Sequence, residues 1–61
     1  MNNEVFKIVV KGKDGIKKVH AIVPTYESAK KMAEVLIEKD NVVLVEIVTA
    51  GEDSIVTRLY Q

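Results

Sequence analysis

The chain contains no cysteine. Disulfide staples and cysteine-ligated zinc are therefore excluded, and the absence suits a reducing compartment. There is no tryptophan, and only two tyrosines and one phenylalanine. That is too few for the clustered aromatic platform on which single-stranded nucleic acids stack. No apolar run approaches the ~20 residues that a membrane helix needs. The opening MNNEVFK lacks the basic and apolar regions of a secretory leader. The expectation is a cytoplasmic protein without membrane contact. Histidine occurs once, as His20, so any triad or metal site would have to be built around one imidazole. Ser28 and Ser54 stand outside a nucleophile-elbow pattern. Glu52 and Asp53 are two adjacent carboxylates, short of a calcium loop. Lys11-Gly12-Lys13-Asp14-Gly15 has the spacing of neither phosphate-loop motif. The chain is accordingly read as non-enzymatic, with no metal and no cofactor.

What is present is a run of 61 residues, 48% of them hydrophobic, many being the β-branched Val and Ile that favour strands. Residues 1–61 make one domain. A domain of this size buries only about 60% of the surface its unfolded chain exposes, so a partner or a second copy is expected to supplement its core. Net charge is zero, unevenly spread. Residues 1–31 carry seven lysines against three carboxylates. Residues 32–61 carry two basic groups against six acidic ones, giving halves of +4 and −4. Such a polar molecule can associate with itself or attract a charged partner.

The pattern reads as two hairpins around one helix. Glu4 to Lys11 alternates as a strand, with Phe6, Ile8 and Val10 on one face. Asp14-Gly15 signals a two-residue type I′ turn. That loop sets Val10 against Val19, Ile8 against Ala21 and Phe6 against Val23, with His20 opposite Val9 on the other face. Pro24 ends the second strand. Thr25 is an N-cap, Glu27 suits the helix dipole, and Ala29, Met32, Ala33, Leu36 and Ile37 form the apolar stripe of a helix ending near Lys39. Val42 to Thr49 is apolar on both faces except at Glu46, as expected of a covered central strand. Gly51-Glu52-Asp53 turns the chain into Ser54–Tyr60. A register with Glu46 opposite Arg58 forms an ion pair and also sets Leu44 against Tyr60, Val48 against Val56, Val45 against Leu59 and Ile47 against Thr57. The expected fold is α+β: a ββαββ two-layer sandwich, one helix on a four-stranded, mainly antiparallel sheet. Order 2-1-3-4 would put strands 1 and 3 in the centre, and orders with one parallel pair are the alternative.

One helix covers one face of such a sheet. The other face is expected to carry Val5, Val9, Ile22, Leu44, Val48, Val56 and Tyr60 as an interaction patch, because contiguous exposed apolar groups mark contact surfaces. Lys7, Lys11, Lys18 and Arg58 would orient a partner around it. The reading is a homodimer that binds a macromolecule, a protein in preference to nucleic acid. The alternative is a nucleic-acid binder using the lysine-rich first hairpin, since a two-stranded ribbon can enter a major groove. A third reading is a small anionic ligand, such as a nucleotide, at the helix N-terminus near Thr25.

TYESAKKMAEVLIE followed by VVLVEIV, together with the lysine-rich first hairpin and the chain's size, resembles the short accessory proteins of phages and mobile elements. The resemblance is one of architecture across the chain and has no diagnostic motif. It implies a stoichiometric inhibitor or regulator of a host factor, often dimeric.

Overall fold

The computed structural model describes residues 4–50 and 54–61. Strands β1 (Val5–Gly12) and β2 (Lys17–Val23) precede helix α1 (Tyr26–Leu36), and β3 (Val42–Ala50) and β4 (Ser54–Tyr60) follow it. The strands form one antiparallel sheet in the order β2-β1-β3-β4, with the helix on one face. The ββαββ architecture expected from the sequence is present, and of the strand orders left open it is 2-1-3-4, with no parallel pair.

The local signals act as expected at the helix start. Thr25 is extended, and its hydroxyl oxygen accepts the Ser28 N–H at 3.2 Å, satisfying one of the donors that a helix N-terminus leaves open. Ala29, Ala33 and Leu36 are buried against Ile8, Val45 and Ile47 of the two central strands. The two alanines let the helix backbone approach the sheet closely. Phe6 and Tyr26 close one end of the core edge-to-face, their rings 5.8 Å apart, a favoured aromatic arrangement. The regular helix stops at Leu36, short of the expected Lys39. From there the chain tightens into turns, with the Glu38 N–H donating to the Val35 carbonyl, Lys39 to Leu36 and Val42 to Lys39.

The first hairpin departs from expectation at its turn. A type I′ turn requires positive φ at both central residues, yet only Gly15 has it, at +81°. The Asp14 carboxylate instead accepts the Ile16 N–H at 3.0 Å, the local bond that makes Asp a turn residue. The Gly15 N–H donates to the Gly12 carbonyl at 3.0 Å. The loop is therefore three residues, Lys13-Asp14-Gly15, closing in left-handed glycine. It shifts β2 by one, so that Lys11 faces Lys17, Val10 faces Lys18 and Val9 faces Val19. One extra residue, His20, then restores the expected Ile8–Ala21 and Phe6–Val23 pairs. This is a β-bulge. The expected Val10–Val19 and Val9–His20 pairings are thus replaced. Side chains alternate with period two, so Val19 moves to the uncovered face and Lys18 to the helix face.

A second bulge lies between β3 and β4. Val48–Val56 and Thr49–Ile55 pair as expected, but Ile47 then meets Arg58, Glu46 meets Leu59 and Val45 meets Tyr60. Thr57 is the extra residue, and its hydroxyl donates to the Ile47 carbonyl at 3.0 Å. That bond replaces part of the ladder that the bulge interrupts. The Glu46–Arg58 ion pair and the Leu44–Tyr60, Val45–Leu59 and Ile47–Thr57 pairs do not form. Arg58 and Tyr60 lie on the helix side, where the guanidinium sits 5.1 Å from the Tyr60 ring centre. A third irregularity, between Lys11 and Gly12 opposite β3, leaves Val43 as the extra residue. The expected Gly51-Glu52-Asp53 turn lies outside the described residues.

Two measurements test this framework. Gly15→Ala places a side chain at φ +81° and should lower stability in urea unfolding by about 1 kcal/mol. Gly15→Asn should lose less, because asparagine tolerates the left-handed region. The Tyr60 hydroxyl is buried, with no hydrogen-bond partner among the described residues. Tyr60→Phe should accordingly stabilise by about 1 kcal/mol through loss of that unmet desolvation cost. A destabilised Tyr60→Phe would contradict the burial of this ring on the helix side.

Candidate interaction surface

The helix packs chiefly over β1 and β3, and nothing among the described residues covers the opposite face of the sheet. The registers define that face in rows across β2, β1, β3 and β4. One row is Ile22, Lys7, Val48 and Val56. The next is Val19, Val9, Glu46 and Leu59. The third is Lys17, Lys11 and Leu44. Val5 extends β1 beyond the first row.

The structure brings together Val5, Val9, Ile22, Leu44, Val48 and Val56, the apolar residues expected there. Tyr60 is not among them. Lys7 and Lys11 lie on this face as expected, whereas Lys18 and Arg58 lie on the other. The two bulges carry Val19 and Leu59 outward in exchange for Lys18 and His20 on β2 and for Arg58 and Tyr60 on β4. The uncovered face is thus more apolar and less charged than the simple alternation implies. On its edge strands Val19, Ile22, Val56 and Leu59 are between 49% and 58% exposed. Their counterparts on the central strands are half-buried by their neighbours. Sequence reasoning missed Val19 and Leu59. The available signal for Val19 was the glycine closing Lys13-Asp14-Gly15, which also suits a three-residue loop.

The face divides into two halves. Over β3 and β4 it presents Leu44, Val48, Val56 and Leu59 around a single carboxylate, Glu46. Over β1 and β2 it alternates apolar groups with Lys7, Lys11 and Lys17. Lys17 reaches across β1 to Glu46, with 3.3 Å between Nζ and Oε2. The Glu46 side chain is only 14% exposed although no helix lies over it. This bond relieves the Lys11–Lys17 juxtaposition, since like charges directly opposite each other in a sheet repel. Arg58 is committed to the helix side. Its pKa is raised, first by a hydrogen bond with Tyr26, then by the nearby Tyr60 and Tyr26 hydroxyls and by Glu34.

The helix N-terminus is less available than the sequence suggests. Thr25 caps it through Ser28 N–H, and the Thr25 hydroxyl also donates to Ser28 Oγ at 2.9 Å. His20, the one imidazole, lines an open trough that Ser28, Lys31 and Lys39 also line. The described residues hold no group of three histidine or acidic side chains able to share a metal ion. No described helix is long and apolar enough to cross a membrane. Comparison with protein-family models, curated proteins and solved structures finds no match to this chain.

Urea unfolding at two ionic strengths tests the charge arrangement. Glu46→Gln should cost up to about 1 kcal/mol at low salt, and the difference should shrink near ~1 M NaCl, where the screening length is only about 3 Å. Lys11→Gln should shift stability the opposite way by a few tenths of a kcal/mol, roughly the scale of a cross-strand pair.

Proposed function

We propose that the protein is a non-enzymatic cytoplasmic interaction module. In this reading it homodimerises through the uncovered sheet face and binds a macromolecular partner as a stoichiometric inhibitor or regulator. The observation that supports it is the contiguous apolar half-face of Leu44, Val48, Val56 and Leu59, continued by Val9, Val19 and Ile22 across the sheet. Apolar patches of this kind mark contact surfaces.

Two alternatives within this reading are the face and the sheet edges. Both edge strands, β2 and β4, carry a bulge, and β2 also begins with Lys17 and Lys18. Bulges and lysines are devices that discourage edge-to-edge pairing, so the face is the favoured contact. Two copies would stack their β3–β4 halves about a two-fold axis. Lys7, Lys11 and Lys17 would then border the interface and steer an acidic protein surface toward it. A regulator of this design matches the phage and mobile-element accessory proteins that the chain resembles.

A second reading is favoured by the Lys11–Lys17 pair, with Lys7 on the same face and Lys13 at the loop. A polyanion such as nucleic acid would neutralise these charges.

Sedimentation equilibrium at tens of micromolar separates the outcomes (a range chosen on the scale of ~10 μM affinities). The expected result is a dimer that Val48→Lys and Leu59→Lys convert to monomer. A wild-type monomer throughout that range, with both variants equally stable, would remove the homodimer. An anisotropy titration with mixed DNA and RNA, showing steep loss of binding with salt and sensitivity to Lys11→Gln and Lys17→Gln, would favour the second reading.

A further inference from the structure

The opposite side of the molecule holds a second feature, distinct from the uncovered face. Between α1 and the edge strand β2 runs an open trough of about 570 Å³. Met32, Val35 and Leu36 form its apolar lining. Lys31 and Lys39 rise from the helix side and His20 from the β2 side, with Ser28 at one end. The β2 bulge builds this wall by turning His20 toward the helix, and Lys18 occupies the same face of β2 opposite Val10. Val35 is 65% exposed, an apolar side chain off the buried stripe. Ser28, Met32 and Val35 follow the spacing of four and three that aligns residues along one helix face, and Lys39 stands in the turns beyond the helix end. The single ion pair among the described residues is Lys17–Glu46, so the cations of the trough have no carboxylate partner there.

We infer that this trough binds an acidic amphipathic helix of a partner protein, laid along α1 with its apolar ridge on Val35, Met32 and Leu36. Charge complementarity selects the occupant, because every ionisable group lining the trough is basic. Its openness selects the form. An open trough buries one side of what it holds, so it suits an occupant with a polar back that stays in water. A fatty chain would keep one flank wetted. An extended strand would have to pair with β2, whose bulge at His20 interrupts the row of free backbone groups. Helix-in-groove docking needs only anchors at a spacing of three and four. From Ser28 to Leu36 the helix wall offers about two turns of length, with Lys39 in the turn beyond it. The site does not depend on the homodimer and stays open if the sheet face is occupied.

The test uses the intact protein and three labelled synthetic helices of about four turns. One carries a leucine ridge flanked by glutamates. One carries the same ridge flanked by lysines. One is a scramble of the glutamate peptide that has no ridge. Fluorescence anisotropy should show the glutamate-ridge helix binding at least about tenfold more tightly than either control. Val35→Glu and the double change Lys31→Glu with Lys39→Glu should each weaken it by about tenfold or more. Leu59→Lys, on the other face, should leave it unchanged. Amide shift changes on titration should centre on Ser28–Lys39 and His20. Equal affinity for the scramble, indifference to Val35→Glu, or shift changes centred on Val9 and Val48 would overturn the assignment. So would saturable binding of a long-chain fatty carboxylate with none of the helix. All variants are exposed-site changes, and circular dichroism of each verifies that the fold is retained.

Discussion

The side chains of a strand alternate between two faces with a period of two, and the rest of this structure depends on that constraint. One inserted residue reverses the orientation of everything beyond it until another irregularity or the strand end intervenes. Here the edge strands each carry one insertion, His20 in β2 and Thr57 in β4. The helix covers one face of the sheet, so these insertions decide which residues reach the core, which reach water and which meet a partner.

The consequences reach the chemistry of both surfaces. Without the Thr57 insertion, Arg58 would stand beside Glu46 on the uncovered face. With it, the guanidinium lies over the Tyr60 ring and Glu46 takes Lys17 from two strands away. Without the His20 insertion, Ala21 and Val23 could not keep their core positions opposite Ile8 and Phe6 beside a three-residue loop. The same residue that repairs the register also forms a wall of the trough beside α1. Charge is therefore sorted between faces by backbone geometry, leaving one side mostly apolar with lysines on one half and sending Lys18, His20 and Arg58 to the helix side.

Much of the architecture was legible in the chain. Thr25 followed by an amphipathic stripe located the helix start, and the two-sided apolar character of Val42–Thr49 located a central strand. Those two facts suit the order β2-β1-β3-β4 but also allow orders with one parallel pair, so the order itself came from the structure. The bulges were not legible, because an inserted residue has no compositional signature. Lys13-Asp14-Gly15 fits either a two-residue or a three-residue loop, and the apolar match of Val10 with Val19 favoured the wrong one. Likewise, the attraction of Glu46 for Arg58 suggested a register that the hydroxyl of Thr57 and the burial of the Tyr60 ring overrule. Six of the apolar residues and two of the lysines expected on the uncovered face do lie there, because they are on β1 and β3, or on parts of the edge strands where the expected register is kept. The trough was missed because Val35 was left out of the helix stripe, and its exposure on α1 is what gives the groove its apolar lining.

The uneven cover that α1 gives the sheet also leaves the molecule with a seam. β1 and β3 are fastened from two sides, by neighbouring strands and by the helix. β4 is fastened by one ladder and by the cluster of Arg58, Tyr60 and Tyr26 at the far side of α1. An excursion that peels β4 away would break one ladder and withdraw Tyr60 from the core, and would leave the β2-β1-β3 layer beneath its helix. Local opening in such a fold is graded by how many sides hold an element. The strand that contributes Val56 and Leu59 to the uncovered face would therefore be the part of that face most responsive to being occupied, and an interface formed there would also act as a clasp for the sheet.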